Sequence, residues 1–143
     1  MGNIQDIQKD IIDEFEMFEE WMEKYEHIIE LGKTLPLIKE DLKTQEHLIK
    51  GCQSQVWLHA EMELDKIIYT ADSDAIMTKG IIALLIRTFS NQNPNDVIQA
   101  DTHFIDRIGL KEQLSPTRAN GLLSMVKQMK LYALAFQSKT TKG

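Results

Sequence analysis

Gln55-Val56-Trp57-Leu58-His59-Ala60-Glu61-Met62 alternates side chains of two kinds. Val56, Leu58, Ala60 and Met62 fall on one face, and Gln55, Trp57, His59 and Glu61 fall on the other. A period of two is the signature of a half-buried strand. Lys66-Ile67-Ile68-Tyr69-Thr70 is a second β-rich run, close enough to the first for a hairpin that turns near Leu64-Asp65. Glu46 to Lys50 is expected to add a short third strand. The fold class expected from these runs and their helical flanks is α+β, a small three-stranded antiparallel sheet packed with several helices.

Apolar residues on both sides of this region recur every three or four positions. Ile4, Ile7, Ile11, Phe15, Phe18, Met22, Tyr25 and Ile29 form one N-terminal helical stripe, with Trp21 marking a bend or a second helix. Gly32 and Pro36 are its stop signals. Ser73 is the expected N-cap of a helix over 75–90, and Asp74 suits the positive end of its dipole. That segment is apolar nearly all round, as a buried central helix should be. Asn93-Pro94-Asn95-Asp96 breaks it. A short helix from about Thr102 ends at Gly109, and Ser115-Pro116 opens the last helix. Its core stripe is Leu122, Val126, Met129, Ala133 and Phe136, and residues 137–143 read as a frayed polar tail.

A chain of 143 residues suits one domain, with a core expected over about 4–136. The run Ile81 to Ile86 is too short for a membrane helix, and no secretory signal is expected at the N-terminus. A formal charge of −6 argues against nonspecific nucleic-acid binding. The charge is uneven: residues 1–30 hold ten acids and two lysines, whereas residues 102–143 hold seven Lys or Arg and two acids. Solvated helix faces explain such a pattern, and so does a basic end that docks an acidic partner.

Cys52 is the one cysteine. It fits a reducing cytoplasm and excludes both an internal disulfide and a two-cysteine redox motif. It lies after Gly51, in the loop expected between the short strand and Gln55. Free cysteines are usually small buried hydrophobes. A reactive one needs its pKa lowered from about 8.5, and His47, Lys50 and His59 are near enough in sequence to contribute. Gln53, Ser54 and Gln55 can hydrogen-bond a sulfur anion or a docked partner. A cysteine hydrolase would pair Cys52 with a histidine base, and a zinc site would combine His47, Cys52 and His59. Neither has a supporting local signature, and no nucleotide-binding loop is present.

Four motifs, in order, resemble the SufE family. They are Trp21-x-x-x-Tyr25-x-x-Ile28-Ile29-x-Leu31-Gly32-x-x-Leu35; Gly51-Cys52-Gln53-Ser54-Gln55-Val56-Trp57; Asp72-Ser73-Asp74-Ala75 followed by Lys79-Gly80-Ile81-Ile82; and Leu114-Ser115-Pro116-Thr117-Arg118-x-x-Gly121-Leu122. The resemblance implies a fold similar to IscU-type scaffold proteins. It also implies a persulfide carrier that is not itself an enzyme. Cys52 would take sulfur from a pyridoxal-phosphate (PLP) cysteine desulfurase, SufS-like or a paralogue, stimulate that enzyme, and deliver sulfur to a SufBCD-type iron–sulfur scaffold. No cofactor or metal on this chain is implied. Asp74 resembles the family's acidic position near the cysteine loop, and Arg118 its arginine after the Ser-Pro cap, which could pair with Asp74, meet the partner or steady a persulfide anion; plain helix-end stability would also explain either residue. Gly51, Gly80 and Gly121 more readily serve backbone geometry and close packing than chemistry. One exposed thiol also allows an adventitious disulfide homodimer.

Overall fold

The structure is a computed structural model that describes residues 3–52 and 54–142, with side chains described through 139. Helices α1 (Ile4–Glu16) and α2 (Trp21–Gly32) precede strands β1 (Val56–Glu63) and β2 (Lys66–Ser73). Helix α3 (Ile76–Phe89) follows, then three short helices, α4 (Pro94–Gln99), α5 (His103–Arg107) and α6 (Leu110–Gln113), and finally the long α7 (Pro116–Lys142). The class is α+β, as expected.

β1 and β2 pair antiparallel from Val56↔Ser73 to Glu63↔Lys66. Leu64 turns the hairpin with φ 58°. Val56, Leu58 and Ala60 are buried, as the alternation requires. The expected third strand is absent: among the described residues the sheet has two strands. Gln45–His47 instead forms a 3₁₀ turn, leaving an isolated bridge between Leu48 and Trp57. Ile49 N–H donates to the Val56 carbonyl at 2.8 Å. A second bridge sets Leu37 parallel to Ala71, on the other edge of β2.

The N-terminal stripe is two helices, the second starting at Trp21, the residue expected to mark a bend or a second helix. Residues 17–20 interrupt it, and Glu20 N–H donates to Glu23 Oε1 at 3.2 Å to start α2. The interruption resets the helical phase. Met22 is therefore 63% exposed, and Ile28, completely buried, takes its place in the core. Gly32 ends α2 for a packing reason rather than as a left-handed cap. A Cβ there would sit 3.0 Å from the Gly80 amide nitrogen.

The predicted central helix is α3, buried on most sides. Its start differs from expectation: Ser73 is the last residue of β2 and Ala75 occupies the cap position, while Ser73 Oγ accepts the Ala75 N–H at 3.3 Å. Helix α4 lies where only a break was expected, with Asn93 capping it and Pro94 in its first turn. Ser115 does cap α7, accepting the Arg118 N–H at 3.3 Å. The polar tail continues α7 to Lys142 instead of fraying. Gln137 Nε2 donates to Asn95 Oδ1 at 2.8 Å, which anchors this last part.

Two tyrosines fasten α7 to the hairpin. The buried Tyr69 hydroxyl donates to the Met129 carbonyl at 2.6 Å, and Tyr132 donates to the Leu58 carbonyl at 3.0 Å. Gln8, fully buried, joins α1 to α5 by donating to the Asp101 carbonyl and accepting the Phe104 N–H. Such satisfied buried amides fix an arrangement because breaking one leaves an unpaired group out of water.

Gly80 sets the closest approach of α2 and α3. A Cβ there would lie 2.0 Å from the Ile28 carbonyl oxygen, a backbone atom with little room to move. Gly80→Ala is expected to lower stability by about 3 kcal/mol or to prevent folding, from overpacking. Urea titration of the variant checks this, and near-native stability would show that α2 can shift freely.

Candidate functional site

The cysteine loop spans residues 50–55, between Ile49 and Val56, whose backbone contact closes its base. Gly51 starts it with φ 88°, a left-handed conformation that glycine adopts without Cβ strain. A Cβ at Gly51 would also press to 3.0 Å from Ser124 Oγ on α7.

The C-terminal arm of the loop is held by the start of α3. Gln55 N–H donates to Asp74 Oδ1 at 3.0 Å. The Gln55 carbonyl accepts from Ser73 Oγ at 2.7 Å and from Asp74 N–H at 3.3 Å. Gln55 thus contributes its backbone, while its side chain is exposed. Ser54 Oγ lies 3.1 Å from Thr78 Oγ1, a second tie to α3. Gln53 lies outside the described residues.

The thiol rests against α7. Cys52 is half-buried, and its Sγ points to the Gly121 carbonyl at 3.7 Å. A Cβ at Gly121 would be 3.5 Å from that sulfur. Burial pushes the Cys52 thiol above its ordinary pKa. No histidine hydrogen-bonds the sulfur among the described residues. His47 and His59 bond each other instead, Nε2 to Nδ1 at 3.2 Å. Burial, and then His47, lower the His59 pKa. The expected thiolate-stabilising cluster is therefore not assembled, and neither is the hydrolase pair. Among the described residues no group of three metal-ligating side chains occurs, so His47, Cys52 and His59 do not form the zinc alternative.

Asp74 and Arg118 do not meet in an ion pair among the described residues. Asp74 braces the loop through Gln55, and Arg118 stands in the first turn of α7, partly exposed. Sequence reasoning missed Thr78, which ties the loop to α3, and Ser124, whose hydroxyl leaves little room for a Cβ at Gly51. Thr78 lies one helical turn after Asp74, and Ser124 lies one turn after Gly121, so helical spacing held the signal once those two positions were marked.

Asp72 locks the strand edge next to this loop. It accepts Ser73 N–H at 2.8 Å and pairs with Lys43 at 2.6 Å and Lys79 at 3.3 Å. Lys43 also sits 5.6 Å from the Trp57 ring centroid, placing a cation near an aromatic ring. Burial alone would raise the Asp72 pKa, but its hydrogen bonds and the two lysines hold it low.

The sequence matches the SufE domain, an Fe-S metabolism associated domain, over residues 9–133. This chain belongs to the SufE family. It is 39% identical over 125 residues to an uncharacterized SufE-like protein of Rhizobium meliloti, covering 84% of this chain and 89% of that one. It is 35% identical over 127 residues to an uncharacterized SufE-like protein of Synechocystis, covering 89% and 80%. It is also 35% identical to SufE-like protein 1, chloroplastic/mitochondrial, of Arabidopsis thaliana, covering 96% of this chain but 39% of that longer protein. A hypothetical protein from Thermus thermophilus shares the fold, with a TM-score of 0.77 at 18% identity over 92% of this chain and 96% of that one. No described helix of this SufE-family chain is long and apolar enough to cross a membrane.

Two measurements test this site. The rate of Cys52 alkylation is expected to rise with pH to a midpoint above about 8.5, the free-thiol value, because burial penalises the thiolate. A midpoint below that would reveal a stabilising cation at the sulfur. Asp74→Ala removes the acceptor for Gln55 N–H. It is expected to cost about 1 kcal/mol and to speed iodoacetamide labelling of Cys52 severalfold. An unchanged labelling rate would mean that Asp74 does not hold the loop.

Proposed function

We propose that this SufE-family protein accepts sulfur as a persulfide on Cys52. The donor is a PLP-dependent cysteine desulfurase, which it stimulates, and the recipient is an iron–sulfur assembly scaffold. The carrying observation is one half-buried thiol on a braced loop, with no histidine bonded to it among the described residues. That arrangement suits exchange with an incoming sulfur better than hydrolysis, which requires a base on the nucleophile.

The chemistry is exchange at sulfur. Cys52 first loses its proton to solvent or to a group of the partner. Its thiolate then attacks the outer sulfur of the partner's persulfide. A new S–S bond forms at Cys52, the partner's S–S bond breaks, and the partner's cysteine leaves as a thiolate. No electrons enter or leave the pair. The rest position against Gly121 protects the sulfur, and partner docking uncovers it. The chain's own part is to hold, shield and present one sulfur atom, with the PLP chemistry belonging to the partner. A reducing compartment such as the cytoplasm keeps Cys52 free as a monothiol carrier rather than a disulfide-linked homodimer.

Incubation with a cysteine desulfurase, PLP and L-cysteine is expected to add about 32 Da, one sulfur, to the intact protein. The gain should vanish on reduction and be absent in Cys52→Ser, which should remain folded. No gain beside a demonstrably active desulfurase of the same genome would overturn the proposal. So would equal alkylation of Cys52 with and without that enzyme, in the case of docking-dependent exposure.

A further inference from the structure

Helix α7 carries a surface that the sulfur loop does not use. Its charged residues are all Lys or Arg, with no acid from Pro116 to Lys142. Leu123, Leu131 and Leu134 are 53%, 46% and 52% exposed. They line an apolar groove of ≈380 Å³ against Ile98 of α4, with Lys127 and Lys130 also lining it. Lys130 is committed to the α4 carbonyls of Ile98 and Ala100, whereas Lys127 is exposed and enters no ion pair among the described residues. Lys127 and Leu131 also line a second cavity of ≈490 Å³, which reaches Lys50 and Ser124 at the cysteine loop. One ridge therefore separates two hollows, and one hollow opens beside the thiol's loop.

The charge selects the occupant. Two copies meeting symmetrically through this face would bring like charges together across a two-fold axis. The stripe also lacks the aromatic residues typical of helices that lie in a bilayer interface. An acidic segment with apolar anchor side chains satisfies both the leucines and the lysine.

Position selects the partner. The same helix covers Cys52 through Gly121 and meets Gly51 through Ser124. The unloaded, half-buried thiol is the form that a sulfur donor encounters. Resting on the carrier function proposed above, we infer that the leucine–lysine face of α7 docks the sulfur-donating desulfurase through an acidic, apolar-anchored segment of that enzyme. Docking there grips the helix that shields the thiol, within about four turns of Gly121.

The test measures binding of the full-length chain to the desulfurase of the same genome by calorimetry. Variants are Leu131→Glu, Leu134→Glu and Lys127→Glu, with Lys127→Arg as the conservative control. Cys52 loading is followed in parallel with a small-molecule persulfide, which needs no docking. Each leucine variant is expected to weaken binding about tenfold or more, as loss of an interface anchor does. Lys127→Glu is expected to weaken it and flatten its salt dependence, and Lys127→Arg to restore both. Loading by the small persulfide should be unchanged in all four, showing an intact fold and thiol. Unchanged desulfurase affinity in the leucine and Lys127→Glu variants, with wild-type loading intact, overturns the docking face and leaves the carrier function standing. Loss of self-association or of anionic-vesicle binding in these variants, with desulfurase affinity unchanged, likewise overturns it. If the wild type takes sulfur from the small persulfide but neither binds nor is loaded by the desulfurase, both the docking face and the carrier function fall.

Discussion

Helix α3 has almost no face that meets water. Ile82, Leu84, Leu85 and Phe89 are at most 1% exposed, and Met77, Ile81 and Ile86 are at 3%. A two-stranded hairpin is marginal by itself in water, so β1 and β2 require this cover. The same helix accepts α2 at a backbone-to-backbone distance that a single methyl at Gly80 would forbid. Once α3 is fixed in this way, its first turn is fixed too, and that turn holds the cysteine loop through Asp74 and Thr78.

The loop is therefore a joint between two parts of the fold. One arm is braced by α3, while the sulfur itself lies against α7. Nothing in these contacts activates the thiol at rest, and burial raises its pKa. Under the carrier function proposed above, this arrangement has a reason. A thiol that is highly reactive when unoccupied would also exchange with small thiols and oxidants, so reactivity is better supplied by the docked state. The backbone of Gln55 holds position while its side chain stays exposed.

The family motifs mark several contacts of this joint. Gly51 turns the loop, Asp74 accepts from it, Ser115 caps the covering helix, and the Gly121 carbonyl of that helix meets the sulfur. Arg118, whose backbone N–H meets Ser115 Oγ, enters no ion pair among the described residues, and neither does Asp74. Arg118 stands partly exposed at the start of α7.

Periodicity alone was enough for the hairpin, the buried helix and the Ser115-Pro116 start of α7, because each depends on residues close in sequence. Val56, Leu58 and Ala60 point inward whatever lies above them, and Leu122, Met129 and Ala133 share one helical side. The lone cysteine after a turn-forming glycine was equally legible. The missing third strand, the reset of phase at residues 17–20 and the continuation of α7 past Gln137 were not, because each depends on a distant partner. Ile49 finds Val56 but its predecessors turn away, Ile28 displaces Met22 at the α3 contact, and Gln137 is tied to Asn95. The environment of the sulfur belongs to the same class. His47 and His59 are near Cys52 in sequence, yet strand geometry joins them to each other, while Gly121, 69 residues away, receives the thiol. Local side-chain pattern sets which face of an element is buried, and packing between elements sets what the buried or half-buried atom finally touches.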